Sequence, residues 1–335
     1  MSGALVQLAA KGSQDIYLTS NENGMSLFNI KYSRHTNFAQ VSKFIKDIDT
    51  TNCSINLPKN GDIVNAIWFE GKDLLNTFEG ATFDLYIGGQ IIDSQPFDFV
   101  NDVWKNYLVD TESKKYTSCS TFIALPLFFC AKKLFFPLVS LHYHQIEIRI
   151  SFKKQSINTF KTYANYIYVD AQERKRFASQ KMDFLITQTQ RIEQPINKGF
   201  VDLDLSKFNH PIKSLFFGPD ISFDTGDIQM NGVTTIENMS PQFFHTIQNY
   251  TKSSLGISDF NTFNNKPDNT KYYAYHFCLD ASKYEPSGTC NFSKINKCNI
   301  ILRNVQTKNE RCVVYAVNYN VLRIENGMAG ILFGK

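Results

Sequence analysis

Strict alternation of apolar and polar residues recurs along this chain in short runs, and it restricts the fold to sheets with one covered face. The clearest run is Ile146-Glu147-Ile148-Arg149-Ile150-Ser151-Phe152; side chains two apart on a strand point the same way. Phe83-Asp84-Leu85-Tyr86-Ile87 repeats the pattern and runs into Gly88-Gly89, a pair suited to a two-residue hairpin turn. Val201-Asp202-Leu203-Asp204-Leu205 does so again. Further strands are expected at residues 63–70, 166–169, 273–279, 299–303 and 313–317. The 29 Phe and 16 Tyr suit half-buried pleated surfaces. Short strands separated by turn signals predict β sandwiches.

Helical pattern is only local. Phe97, Val100, Trp104 and Leu108 share one helical face after Pro96. Ser240-Pro241 reads as an N-cap and first helical residue before Phe244, Ile247 and Tyr250. Asp170-Ala171-Gln172-Glu173 reads as a capping box.

These segments expose a repeat. Asp84-Leu85-Tyr86-Ile87-Gly88-Gly89 aligns with Asp227-Ile228-Gln229-Met230-Asn231-Gly232, and Asn106-Tyr107 then falls on Asn249-Tyr250 without a gap. A second echo pairs Tyr166-Ile167-Tyr168-Val169 with Tyr319-Asn320-Val321-Leu322. The spacing is too long for a solenoid unit and points to a duplicated domain. The polar stretch at residues 188–198, containing Pro195, reads as the boundary. Two tandem sandwiches also suit a chain of 335 residues.

Composition narrows the function. A formal net charge of +4 without a basic block argues against direct nucleic-acid binding. Seven scattered cysteines with no C-x-x-C pair read as thiols in a reducing compartment. The N-terminus lacks a basic start and a long apolar run, and residues 122–139 are interrupted by Pro126, Lys132, Lys133 and Pro137. The expectation is a soluble protein made in the cytosol. The Asn-x-Ser/Thr triplets at Asn52, Asn238, Asn249 and Asn291 read as chance matches in an Asn-rich chain.

The chemical candidates are few. His142-Tyr143-His144-Gln145-Ile146-Glu147 resembles part of a cupin metal motif, but on a strand Glu147 would face away from both histidines. The pair reads as two half-buried strand histidines. Asp202 and Asp204 share a strand face and read as an acidic solvated surface; Arg174-Lys175-Arg176 reads as a basic helix face. No nucleophile elbow, phosphate-binding loop or dinucleotide fingerprint is present. No catalytic, cofactor-binding or metal site is expected.

The order of several further segments resembles one family. These include Gln7-Leu8, Gln14-Asp15-Ile16-Tyr17-Leu18-Thr19, Phe28, Tyr32 and Arg34-His35-Thr36-Asn37-Phe38-Ala39. Ile87-Gly88-Gly89-Gln90-Ile91-Ile92-Asp93 and Leu138-Val139-Ser140-Leu141-His142-Tyr143-His144 follow. Next are Tyr166-Ile167-Tyr168-Val169-Asp170, Glu173-Arg174 and Arg176-Phe177-Ala178. Phe208-Asn209-His210-Pro211 and Pro286-Ser287-Gly288-Thr289-Cys290-Asn291-Phe292-Ser293 lead to the closing Val314-Tyr315-Ala316-Val317-Asn318-Tyr319-Asn320-Val321-Leu322-Arg323-Ile324. Together they resemble the double jelly-roll major capsid proteins of nucleocytoplasmic large DNA viruses. This chain is shorter than that family's usual members, has Ser33 where they often carry a basic residue, and has Glu325-Asn326 in place of a less charged pair.

The resemblance implies an all-β fold of two tandem eight-stranded antiparallel jelly rolls with a few short helices in connecting loops. The expected divisions are an N-terminal arm at 1–24, a first jelly roll at 25–190, a linker at 191–198 and a second jelly roll at 199–335. Residues 318–324 are expected to be the last strand, and 327–330 the turn that releases the tail. It further implies a non-enzymatic capsid protein that forms homotrimeric, pseudo-hexagonal capsomers and an icosahedral shell. Its partners would be itself, neighbouring capsomers, minor capsid proteins and an underlying viral inner membrane, with no direct nucleic-acid contact. The expected location is the virion capsid, with assembly in the host cytoplasm. The alternatives are a minor or assembly-stage paralogue of the same fold, a jelly-roll carbohydrate-binding protein, and a cupin-like enzyme.

Overall fold

Alternation in the sequence becomes strand pairing throughout the computed structural model. It describes Val6, Ala9, Ala10 and residues 35–49, 53–109, 119–131, 134–154, 158–219, 221–253, 272–307 and 310–334. The expected N-terminal arm, apart from Val6, Ala9 and Ala10, and the family segments before His35 lie outside the described residues. The chain divides into units 1–37 and 38–335. Every element below belongs to the second unit.

The first group of strands is β1 (Phe38–Ile48), β2 (Ser54–Asn56), β3 (Ile63–Gly71), β4 (Thr82–Ile87), β5 (Gln90–Pro96), β6 (Phe122–Ala124), β7 (Phe136–Pro137), β8 (Ile146–Ser151) and β9 (Phe160–Val169). One sheet runs β1-β9-β3-β6, with β7 also on β3, and the other runs β2-β8-β4-β5. The second group is β10 (Met182–Pro195), β11 (Gly199–Asp204), β12 (Pro211–Gly218), β13 (Ile221–Ser222), β14 (Thr225–Met230), β15 (Val233–Met239), β16 (Tyr273–His276), β17 (Cys290–Asn291), β18 (Cys298–Thr307), β19 (Arg311–Glu325) and β20 (Met328–Ile331). Its sheets run β10-β19-β12-β16, with β17 on β12 and β20 on β19, and β11-β18-β14-β15, with β13 on β18.

Setting aside the short strands β7, β13, β17 and β20, the two groups have one topology. In each, the first strand pairs the last, the last pairs the third, and the third pairs the sixth. The second pairs the seventh, the seventh the fourth, and the fourth the fifth. This is a double jelly roll, with two packed sheets in each half. The first core joins Ile67, Phe69 and Phe160 of one sheet to Phe83 and Ile148 of the other. The second joins Leu215, Phe217 and Val314 to Leu203, Ile228 and Ile300.

The repeat seen in sequence has a structural basis. Asp84 and Asp227 lie on β4 and β14, and each strand turns through two residues into the next. Gly88 and Gly89 have φ of +58° and +82°, and Asn231 and Gly232 have +50° and +80°, the backbone of a type I′ hairpin. At Gly88 a methyl group would also lie 2.2 Å from the His144 ring, whereas Gly89 faces open space. Gly88→Ala is therefore expected to cost about 2 kcal/mol or more, against about 1 kcal/mol for Gly89→Ala from left-handed strain alone. Thermal unfolding of the two variants checks the difference.

Several sequence expectations are corrected. Residues 191–195 are not linker: β10 pairs with β19 without a break from Met182↔Ile324 to Pro195↔Arg311. Its glutamines hid the strand because they make junction and loop bonds, such as Gln190 Nε2 to Asn209 O at 2.7 Å. The closing turn is Asn326-Gly327 rather than residues 327–330, and β20 folds back on β19. The second echo matches equivalent strands in the wrong register. Tyr166 shares a β9 face with core Phe160, but Tyr319 lies opposite the face of Val314 and Ala316, and a one-residue slip exchanges faces.

The two longer helical segments are wound differently from the expectation. Phe99–Leu108 is π-helical and buries Phe99, Val100, Val103 and Tyr107. Of the expected 97/100/104/108 stripe, Phe97 and Val100 are buried, whereas Trp104 and Leu108 are only half-buried. Wider π turns carry the covered face along at four-residue spacing. After β15, the π-turn Phe243–Ile247 continues as the α-helix Gln248–Lys252. Phe244 points inward, but Ile247 and Tyr250 face out. Asp170 does cap the Ala171–Ser179 helix, accepting the Glu173 N–H at 2.9 Å.

Candidate functional site

The residues nominated by chemistry do not converge. His142 and Tyr143 are exposed in a loop before β8, and His144 is half-buried there rather than on a strand. His144 Nδ1 lies 3.1 Å from both the amide nitrogen and the carbonyl oxygen of Ala329, and the Tyr143 N–H donates to Gly327 O at 3.1 Å. The loop thus grips the β19–β20 hairpin. Glu147 instead accepts from Arg149 at 2.8 Å and Ser54 at 2.5 Å, and the Arg149 bond is the main reason its carboxyl sits below the usual range. Asp202 and Asp204 occupy the exposed face of β11, held by Asn299 and Ser206. Among the described residues no group of three His, Cys, Asp or Glu side chains converges to hold a metal.

The structure reveals a polar chain that the sequence concealed. His276 on β16 sets Nδ1 2.8 Å from Ser214 Oγ of β12 and Nε2 3.2 Å from Asn249 Oδ1 of the Gln248–Lys252 helix. Since the Asn249 oxygen accepts, Nε2 carries the proton and Nδ1 accepts from the Ser214 hydroxyl. This order mimics a nucleophile, base and orienting amide. All three residues are buried, however, and a base needs reach to a substrate proton. Burial, with Lys213 and Lys252 nearby, pushes the His276 pKa down to about 3. The chain fastens the helix to the sheet as a neutral network. Its members sit far apart in sequence with no motif spacing.

A second feature is a surface, the junction of the two jelly rolls. The β5 edge meets β10, where the Thr189 N–H donates to Asp93 Oδ1 at 2.8 Å and Gln188 Nε2 donates to Ile92 O. Asp93 also accepts from Gln95 Nε2 at 2.6 Å. Burial outweighs these bonds and pushes its carboxyl up to about 6. The Phe99–Leu108 helix then crosses the outer face of the β10-β19-β12-β16 sheet. Phe99 meets Tyr315 with ring centroids 5.4 Å apart, and Tyr107 meets Phe216 at 5.6 Å. The Tyr107 hydroxyl donates to Tyr272 O at 2.6 Å. Aromatic packing with one satisfied hydroxyl is the pattern of a permanent internal interface.

Comparison with known proteins assigns this architecture. Residues 222–330 match the large eukaryotic DNA virus major capsid protein family, and residues 80–183 match the major capsid protein N-terminus. The chain is 28% identical over 406 aligned positions to the major capsid protein of Pyramimonas orientalis virus, covering all of both chains. It is 26% identical over 450 positions to that of Paramecium bursaria Chlorella virus 1, again end to end. The chain belongs to the large eukaryotic DNA virus major capsid protein family.

The capsid fold extends to solved structures. PBCV-1 VP54, fitted into a reconstruction of the virophage Sputnik, superposes with a TM-score of 0.79 at 21% identity, covering 92% of this chain and all of that one. The Faustovirus major capsid protein gives 0.64 at 10% identity, with 96% of each chain covered. For a capsid protein, the junction outranks the one cleft described, of about 420 Å³, lined by Lys59, Asp62, Leu138, His142, Tyr168 and Arg174 among others. Several polar groups of that cleft are engaged locally. Lys59 Nζ donates to Leu141 O, and Arg174 meets the buried Asp62 carboxylate at 2.5 Å. So Arg174 is a tether between the helix and the β3 entrance rather than a simply solvated charge. Arg174→Met leaves Asp62 buried with the Val169 N–H at 3.0 Å. It is expected to cost about 1–3 kcal/mol, measurable as a lower urea midpoint.

Proposed function

We propose that this capsid protein is a non-enzymatic shell subunit that acts as a trimer, and that pseudo-hexagonal trimers tile an icosahedral capsid. One observation carries the reading: the same sheet order occurs twice in one chain. Three chains then supply six similar sandwiches, whose near-sixfold outline can fill a flat facet, and closed symmetry is the usual form of such assemblies. The internal junction supports this, because it already sets one jelly roll beside another through β5 and β10. We place the division between the halves at residues 170–181, between the end of β9 and the start of β10.

The sealed His276 network and the local engagement of the cleft support a role without catalysis. In this proposal the partners are further copies, adjoining capsomers, minor capsid proteins and the inner membrane, without direct nucleic-acid contact. Assembly would take place in the host cytoplasm and the product would reside in the virion. Quantitative protein counting on purified virions tests the station in the shell. Abundance equal to the most plentiful virion protein supports the principal role; a small number of copies per particle would assign the chain to special lattice positions instead.

A further inference from the structure

The internal junction contains a docking row whose counterpart in the other half is half-exposed, with no helix of the described residues packed across it. On the second jelly roll the row is Arg191, Tyr315 and Phe216, neighbours across β10, β19 and β12. It lies on the outer face, one residue from the inward pair Val314 and Phe217. The Phe99–Leu108 helix covers it, and Tyr315 and Phe216 are fully buried.

The same positions on the first jelly roll are Phe44, Tyr163 and Trp68, neighbours across β1, β9 and β3. They too lie one residue from an inward pair, Thr162 and Phe69, both with no exposure. Their rings form a continuous strip: Trp68 stacks on Tyr163 at 5.7 Å and Phe44 meets Tyr163 edge-on at 5.8 Å. Phe44 is nevertheless 48% exposed.

The second jelly roll carries the matching helix. It follows β15 as the Phe99–Leu108 helix follows β5, and Asn249-Tyr250 repeats Asn106-Tyr107 at the offset of the hairpins. Tyr107, seated on the internal row, is 7% exposed; Tyr250 is 75% exposed and Ile247 46%. We propose that Ile247 and Tyr250 of one copy dock on the Phe44–Tyr163–Trp68 strip of a second copy, as the Tyr107 helix docks within the chain. The occupant is another molecule of this chain because the chain's own helix already shows the mate that such a row takes. The contact is head-to-tail, and a 120° rotation between copies would close it into the three-membered ring of the proposed trimer. Solvent-facing aromatic residues of this kind are the usual anchors of an interface.

This proposal rests on the trimer reading, and sedimentation of the full chain separates the two. Tyr250→Asp and Phe44→Asp alter exposed residues, and Tyr143→Asp, at a residue 78% exposed in the His142–His144 loop, is the control. Far- and near-UV circular dichroism spectra matching the wild type confirm folding, since loss of association by itself lowers a melting temperature. At a concentration where the wild type is trimeric, each of the two variants should run as a single chain, with association weakened roughly 100-fold, and the control should stay trimeric. An equal mixture of Tyr250→Asp and Phe44→Asp should form a two-chain species, because one retains the strip and the other the helix. Variants that remain trimeric would overturn the docking surface and leave the trimer intact. A mixture that stays single-chain would overturn the head-to-tail pairing. A wild type that never associates refutes the trimer reading and this surface with it.

Discussion

Phe78→Ala should lower the unfolding free energy by about 3–5 kcal/mol, the largest loss expected from a single core truncation. Phe78 ends the short Leu74–Thr77 helix and has no solvent exposure. Its ring meets those of Phe160 at 4.9 Å, Phe83 at 5.2 Å, Phe69 and Phe152 at 5.5 Å, and Phe97 at 5.9 Å. These neighbours come from both sheets of the first jelly roll and from the approach to the junction helix, so they cannot collapse together into the void. The cost therefore includes lost transfer energy and an open cavity. Phe200→Ala is the comparison: that ring is 62% exposed, and its loss should stay within about 0.5 kcal/mol. Urea unfolding of both variants measures the contrast. A Phe78→Ala loss below about 1 kcal/mol would contradict the packing described.

Mild acid should destabilise the fold well before ordinary carboxylates titrate. Burial holds His276 at about 3 and His245 at about 4, against an ordinary 6.5. In both cases the unfolded chain takes the proton first, so stability falls as pH drops below 6.5. Asp93 opposes them. Its folded pKa of about 6 exceeds the ordinary 3.8, so the folded state gains a proton as pH falls through 6. Between pH 6 and 4.5 two histidines work against one carboxyl, leaving a net loss of about 1.4 kcal/mol per pH unit. His276→Gln removes one histidine from this balance and should make the profile nearly flat. Urea midpoints across that range provide the test; a wild-type profile that is flat or rises toward acid would contradict the buried network.

Strands with one wet face were legible in the sequence because their burial alternates. Residues 146–152 and 83–87 became β8 and β4 for that reason, and the echoed hairpins followed from turn chemistry. β10 escaped because neighbours partly cover both its faces, so its residues need hydrogen bonding more than apolarity. Its Gln188, Gln190 and Gln194 all bond backbone carbonyls elsewhere. The junction helix was placed correctly but its face only in part, since π winding is invisible to a 3.6-residue template. Phe97 and Val100 are buried as expected, while Phe99, Val103 and Tyr107 replace Trp104 and Leu108 as the fully covered residues. The roles of His144 and His276 depend on contacts 185 and 62 residues away in sequence. No local spacing encodes such contacts. The interface row was hidden for the same reason: Phe44, Trp68 and Tyr163 become neighbours only once β1, β9 and β3 pair.

Native mass spectrometry of the purified full-length chain tests the shell-subunit account most directly. The expected species has three times the 38.4 kDa chain mass and persists on dilution through the micromolar range. A protein that remains a single chain at the highest soluble concentration would contradict it.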